Sequence, residues 1–231
     1  CITAGAAAGL GALYVGTGGL LCYGILSKKV CNKHPEELLH IPDNMKRYLN
    51  DENFRTADDW YNAINPDDTV LFNEKGEKLL SKEILQTASS HKWLIAVHGY
   101  TSRPRAMARQ AIWFYKRGYN CILPCQRAHR NQEEKFTSMG YYERYDIISW
   151  INYIRDNFGV KEVYIHGICI GTSAGLFAME SKDCPDIVKG LVTEGCFVSF
   201  RETFKRHMMA EKRPLFPVLD LSMLLINKHT G

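Results

Sequence analysis

Apolar positions along the chain fall into two rhythms, and their alternation predicts the layout. Residues 93–97, 119–123, 163–165 and 187–192 are short continuous runs rich in β-branched and aromatic side chains, the pattern of buried strands. Between them, residues 105–117, 141–157 and 172–181 read as helices; Ile147, Ile148, Ile151 and Ile154 recur at helical spacing, and Gly118 and Gly159 stand just past two of the helix ends. Upstream, 68–72 and 78–84 are two strand-like runs with Gly76 between them, the pattern of a hairpin. Strands alternating with helices predict an α/β fold, a mostly parallel sheet with helices on both faces.

The amino-terminal stretch has a different pattern. From Cys1 to Leu26 there is no charged residue, and Ser27-Lys28-Lys29 follows. Crossing a membrane takes roughly 20 apolar residues, so 1–29 is expected to be a single-pass membrane anchor; a secretory signal and a small-residue soluble helix stay open as alternatives. Lys28 and Lys29 favour a cytoplasmic carboxyl side, but the chain starts at Cys1, so residues before it are expected to be missing and the orientation stays open. Residues 30–66 read as a polar juxtamembrane connector with a helical stretch at 45–60, and 67–231 as the main domain.

Composition narrows the class. Of 231 residues, 45% are hydrophobic and 23% charged, which is material for a full core. The net charge of +4 is mild and its lysines and arginines are scattered, so no nucleic-acid surface is expected. Eight cysteines contain no C-x-x-C pair and no zinc-ligand spacing, which argues against a metal site and a disulfide framework. No phosphate loop or dinucleotide fingerprint is present, so no cofactor is expected.

The candidate chemistry sits where strands end. After the run 163–165 comes Gly167-Ile-Cys169-Ile-Gly171, then a helix. A strand, a tight turn with glycines two before and two after a central residue, and a helix make a nucleophile elbow. Gly171-Thr-Ser173-Ala-Gly175 also fits G-x-S-x-G. Cys169 follows the strand directly and Ser173 lies a helical turn further on, so Cys169 is preferred and Ser173 is expected to pack helix on sheet. Ligands of parallel sheets bind at carboxyl strand ends. His98-Gly99, Arg127, Cys169 and Glu194 all fall there.

Four segments carry a resemblance: His98-Gly-Tyr-Thr101, Arg127-Ala-His129, Met139-Gly-Tyr-Tyr-Glu-Arg-Tyr-Asp146 and Ile165-His-Gly-Ile-Cys-Ile-Gly171. From about residue 69 onward the chain resembles the α/β-hydrolase superfamily, specifically its serine aminopeptidase-like branch of membrane-anchored bacterial proteins. The resemblance implies hydrolysis of carboxylic ester or peptide bonds through an acyl-enzyme, with a small-molecule or peptide substrate. Cys169 takes the nucleophile position, as in dienelactone hydrolase, which it resembles in its G-x-C-x-G elbow. The backbone N–H groups of Ile170 and Tyr100 take the oxyanion positions, while Gly99, Gly167 and Gly171 support the turn. His98 and His166 are expected to be structural, and Arg127 and His129 to organise their loop. The family's acid and histidine follow two further strands, so the sequence is expected to be truncated at its carboxyl end, with a cap-like segment from about 197. The alternative is a non-catalytic relative that binds a ligand or partner.

Overall fold

The computed structural model of the chain describes residues 16, 19–20, 23–33, 52–196, 199–210, 220 and 223–224. In chain order its elements are α1 (Lys28–Cys31), α2 (Glu52–Ile64), β1 (Asp67–Phe72), β2 (Lys78–Ile84), β3 (Lys92–Val97), a 3-10 turn (Pro104–Met107), α3 (Ala108–Tyr115), β4 (Asn120–Pro124), α4 (Glu143–Phe158), β5 (Glu162–Ile168), α5 (Ile170–Glu180), β6 (Val188–Glu194) and α6 (Phe200–Ala210).

Six strands form one sheet in the order β1-β2-β4-β3-β5-β6. The hairpin β1–β2 is antiparallel and adds onto β4 antiparallel, whereas β4, β3, β5 and β6 run parallel. The order turns back at β3: the chain crosses from β3 to β4 on one side, then returns to β5 on the other. Parallel sheets bind ligands at the carboxyl edge of such a switch point.

The residue patterns explain the layers. Trp93 to Val97 are all fully buried, as a strand covered on both faces requires. On one face, Ile147, Ile151 and Ile154 of α4 and Ala174 and Ala178 of α5 pack on Trp93, Ile95, Val163 and Ile165. On the other, Ala108 and Ala111 of α3 meet Leu94, Ala96, Cys121 and Leu123. Each fully buried isoleucine or leucine contributes about 1.5–3 kcal/mol.

Two expectations shift. Of the helical stretch expected at 45–60, residues 45–51 lie outside the described residues and the rest lies in α2, which runs on to Ile64; Ala57 and Tyr61, one turn apart, join the second core cluster. The carboxyl half of the expected connector is therefore packed into the domain. Strand β5 runs on through Gly167 to Ile168, and α5 starts at Ile170, so the turn around Cys169 is tighter than the sequence suggested. The expected membrane anchor and the cap-like apolar segment lie mostly outside the described residues; among the described residues no helix is long and apolar enough to cross a membrane.

Residues 23–33, which span the end of the expected anchor, are docked on the domain. Leu26, Ser27 and Cys31 are buried. Ser27 bridges to Phe136, Thr137 N–H donates to Leu26 O, and Lys28 N–H donates to Lys135 O. Asn32 donates to Ala128 O and accepts from Arg130 N–H.

Candidate active site

Cys169 sits alone between β5 and α5 with φ 54° and ψ −115°. A non-glycine residue held there carries strain of about 1–3 kcal/mol, which the surroundings must over-determine. They do so through three backbone bonds: Cys169 N–H donates to Glu194 O (2.8 Å), and Cys169 O accepts from the N–H of Thr172 and Ser173 (3.1 and 3.3 Å). The Thr172 hydroxyl closes the turn from inside, donating to Gly167 O at 2.7 Å.

The flanking glycines are dictated by space. A Cβ on Gly167 would lie 2.5 Å from Thr172 N, and one on Gly171 would lie 2.3 Å from Val97 O and 2.7 Å from His98 O. Gly99 completes the arrangement, since a Cβ there would meet Cys169 Cβ at 3.3 Å. The loop after β3 is thereby pressed against the elbow, bringing together His98, Gly99, Tyr100, Gly167, Cys169, Ile170 and Gly171. The backbone N–H groups of Tyr100 and Ile170 donate to no acceptor among the described residues. Two uncommitted donors beside a half-buried thiol have the composition of an oxyanion hole.

Ser173 has a different role. It is buried, and a Cβ on Gly140, itself at φ 108°, would come within 2.7 Å of Ser173 Cβ. It is the packing point of α5 against the 138–142 turn.

His98 is fully buried. Its Nε2 accepts from Gln126 N–H (3.2 Å), so Nδ1 carries the proton and donates to Gly99 O (2.9 Å). Burial, with His129 nearby, pushes its pKa down to about 3, so the ring is neutral. His129 repeats the pattern: Nε2 accepts from Thr101 N–H, Nδ1 donates to Arg127 O, and burial lowers its pKa. The two rings stand edge to face at 5.0 Å. Both histidines, with Gln126, fix the β3 loop to the loop after β4.

Arg127 reaches the other way, donating Nε and Nη2 to Asp146 (2.8 and 2.7 Å) and Nη2 to Glu77 (2.6 Å). It ties the β1–β2 hairpin to α4. Buried Glu143 accepts from Thr137 Oγ1, Ser138 N–H, Ser138 Oγ and Gly140 N–H, which organises the turn that packs on Ser173. Gln126, Glu77, Glu143 and Thr172 were not singled out from the sequence. The partners of Gln126 and Glu77 lie 28 and 50 positions away, and those of Glu143 and Thr172 sit in or beside irregular turns, so periodicity carries no signal of these contacts.

His166 was expected to be a satisfied packing residue, and it is only half satisfied. Its Nε2 donates to Glu194 Oε1 at 2.9 Å, while buried Nδ1 has no partner among the described residues. Gln110 Nε2 also donates to Glu194 Oε1 (3.1 Å), and Arg109 stands 3.9 Å from Oε2. Burial alone would raise the Glu194 pKa, but the bonds from Gln110 and His166 and the Arg109 charge bring it below the usual carboxylate range.

Cys31, Cys121, Cys125, Cys169 and Cys184 form no disulfide. Burial pushes Cys31 and Cys125 up to about 12 and Cys121 higher still, so these remain thiols. Among the described residues no group of three His, Cys, Asp or Glu side chains is placed to hold a metal ion.

Tyr100 also faces the amino-terminal segment, because its hydroxyl donates to Ile25 O. The residue that offers one candidate oxyanion donor is therefore held at its far end by the chain that precedes the domain.

No family model matches the chain. It is similar to the uncharacterized protein YqkD of Bacillus subtilis (strain 168), 25% identical over 137 residues, which is 57% of this chain and 45% of that one. Among solved structures it is similar to the esterase Pf2001 of Pyrococcus furiosus, 25% identical with a TM-score of 0.53, over 70% of this chain and 62% of that one. It also matches epoxide hydrolase VrEH1 of Vigna radiata, 18% identical with a TM-score of 0.45, over 55% and 39% of the two chains. The chain thus spans less than half the length of the curated relative and under two thirds of the esterase. The esterase Pf2001 is an α/β-hydrolase, and the mixed, mostly parallel sheet described above is consistent with that fold.

Proposed function

We propose that this chain carries the nucleophile side of a hydrolase site for carboxylic esters or amides. The observation that supports it best is the backbone of Cys169, held at positive φ between Gly167 and Gly171 with Gly99 against its Cβ. In this reading the Cys169 thiolate adds to the substrate carbonyl carbon. The N–H groups of Tyr100 and Ile170 hold the oxyanion, and collapse expels the alkoxide or amine, which takes a proton. Water then adds to the thioester, releasing the acid and restoring the thiol. The general base is assigned to a part of the whole protein outside the described residues, because both ring nitrogens of His98 and His129 are bonded to backbone groups and His166 bonds Glu194 through Nε2 with its Nδ1 buried.

The finer assignment is to the serine aminopeptidase-like branch, with residues 1–29 as a single-pass anchor whose carboxyl end, residues 23–29, packs on the domain. Its support is the four motif segments and the uncharged run from Cys1 to Leu26. The test is turnover of a p-nitrophenyl ester by the full-length, membrane-purified protein. Turnover that disappears in Cys169→Ala is expected. The same commitment of the described histidines favours the second reading, a non-catalytic relative that binds a ligand or partner. Absence of both turnover and iodoacetamide labelling at Cys169 would establish that second reading over the first.

A further inference from the structure

Residues 25–32 form a strap bonded to the loops that leave the carboxyl ends of β3 and β4. On the β4 loop, Leu26 O accepts from Thr137 N–H (2.9 Å), Lys28 N–H donates to Lys135 O (2.7 Å), and the Lys28 amine donates to Gln132 O. Asn32 grips the same loop nearer its start: Nδ2 donates to Ala128 O at 3.2 Å, and Oδ1 accepts from Arg130 N–H. To the β3 loop the strap offers Ile25 O, which accepts from the Tyr100 hydroxyl.

Strained backbone lies on the line between Asn32 and Tyr100. Ala128 and Arg130 stand at φ 62° and 48°, and Thr101 at 55°, though none is glycine. Such residues persist only where their surroundings over-determine them. Asn32 does so for the first two, bonding the carbonyl of one and the amide of the other. Between them, His129 Nε2 accepts from Thr101 N–H at 3.2 Å, so the turn that Asn32 fixes also fixes the residue after Tyr100. The Tyr100 ring stands edge-on to His129 at 6.3 Å. Burial, with Cys31 nearby, pushes its hydroxyl above the usual phenol range. A buried tyrosine hydroxyl needs an acceptor, and here the strap supplies it.

The peptide at stake joins Gly99 to Tyr100. Its oxygen accepts from His98 Nδ1 (2.9 Å) and Ser102 N–H (3.2 Å), and a trans peptide aims its N–H the opposite way. That N–H is one of the two uncommitted donors beside Cys169. Donors of this kind act only when held to within about 0.5 Å, so a tyrosine free to shift would carry the amide off its mark.

We infer that the strap sets the oxyanion hole: Ile25 and Asn32 are positioning residues that hold the Tyr100 amide where charge develops as Cys169 is acylated. This rests on the reading of Cys169 as the nucleophile. Released from the strap, the domain keeps its thiol and loses the alignment of one donor.

The full-length protein is assayed with p-nitrophenyl acetate, and alkylation of Cys169 by iodoacetamide is followed by peptide mass spectrometry in the same variants. Alkylation displaces iodide from a methylene carbon and builds no oxyanion, so it reports the thiol alone. Tyr100→Phe is expected to lower kcat about tenfold, because a displaced donor costs less than the roughly hundredfold of a missing one. KM and the alkylation rate stay close to the parent values. Asn32→Ala lowers kcat in the same way but less, and the double variant falls short of the product of the two, since both loosen one residue. Tyr119→Phe loses a hydroxyl bond to Glu162 at the amino ends of the strands and keeps the parent kcat.

Parent kcat in both Tyr100→Phe and Asn32→Ala overturns the inference. So does a fall in alkylation that parallels the fall in kcat, which marks a loosened elbow, or a loss confined to KM, which marks a substrate contact. A parent protein that turns over no ester, or turnover that survives Cys169→Ala, refutes the nucleophile reading itself and removes the role of the strap with it.

Discussion

The two sides of Cys169 are built on opposite principles. On the β3–β4 side, His98, His129 and Gln126 are buried, the histidines are neutral, and both ring nitrogens of each are committed to backbone groups. On the β6 side, Glu194 is 40% exposed in its side chain, gathers His166, Gln110 and Arg109, and leaves His166 Nδ1 and Gln110 Oε1 buried without partners among the described residues. The first side fixes the loop bearing the candidate oxyanion donor, and rigidity there costs nothing during reaction, because preorganised donors need no rearrangement. The second is charged and open to water, which suits contact with a ligand.

The comparison breaks most visibly at the point both sides share. Gly171→Ala places a Cβ 2.3 Å from Val97 O and 2.7 Å from His98 O, backbone atoms that cannot move aside. The expected loss exceeds about 4 kcal/mol, read as loss of soluble folded protein or of its cooperative melt. A mild effect would mean that the β3 loop is not pressed on the elbow.

Next in size, Arg127→Leu leaves Asp146 buried without its cation. Removing one partner of a buried pair costs about 3–5 kcal/mol, measurable by urea unfolding. The loss should fall well below that range in Arg127→Leu/Asp146→Leu, where no charge is stranded.

The histidines give a pH signature to the rigid side. His98 holds a folded pKa of about 3, below the value near 6.5 of an unfolded histidine. The unfolded chain therefore binds the extra proton between these values, so the stability that His98 contributes is complete above pH 6.5 and is lost as pH falls toward 3. From pH 6.5 to 5 the loss is about 2 kcal/mol, with His129 acting in the same direction. Urea midpoints across this range should fall steeply in the parent and less so in His98→Asn.

The smallest effect belongs to the open side. Glu194→Ala removes bonds that water screens, so less than about 1 kcal/mol of stability is expected to go. A loss equal to that of Arg127→Leu would erase the distinction between the two sides.

These contrasts also separate what the sequence makes legible from what it hides. The runs at 93–97 and 163–165 are near-continuous apolar β-branched segments, so the strands and the layered fold can be read directly. The Gly167-x-Cys169-x-Gly171 spacing works in the same way, because its cause is local backbone crowding. Local order also separates Cys169 from Ser173. Gln126 bonding His98, Glu77 bonding Arg127 and Gly140 packing on Ser173 are contacts across 28, 50 and 33 positions, and no periodicity records them. The helix at 52–64 runs past the expected end at 60 because Tyr61 and Ile64 continue the apolar face begun by Ala57 and Trp60, a weak signal among charged neighbours. The unpartnered Nδ1 of His166 belongs to the same class, since only packing decides whether a histidine finds two partners.

The central claim is that the turn around Cys169 presents a working nucleophile. Reaction of the full-length protein with a p-nitrophenyl ester, quenched in acid within the first turnover and mapped by peptide mass spectrometry, tests it most directly. The account predicts an acyl group on the peptide carrying Cys169, formed with a burst of p-nitrophenol and absent in Cys169→Ala. Turnover that persists in Cys169→Ala, with the acyl group found on Ser173 or on no residue, would contradict it.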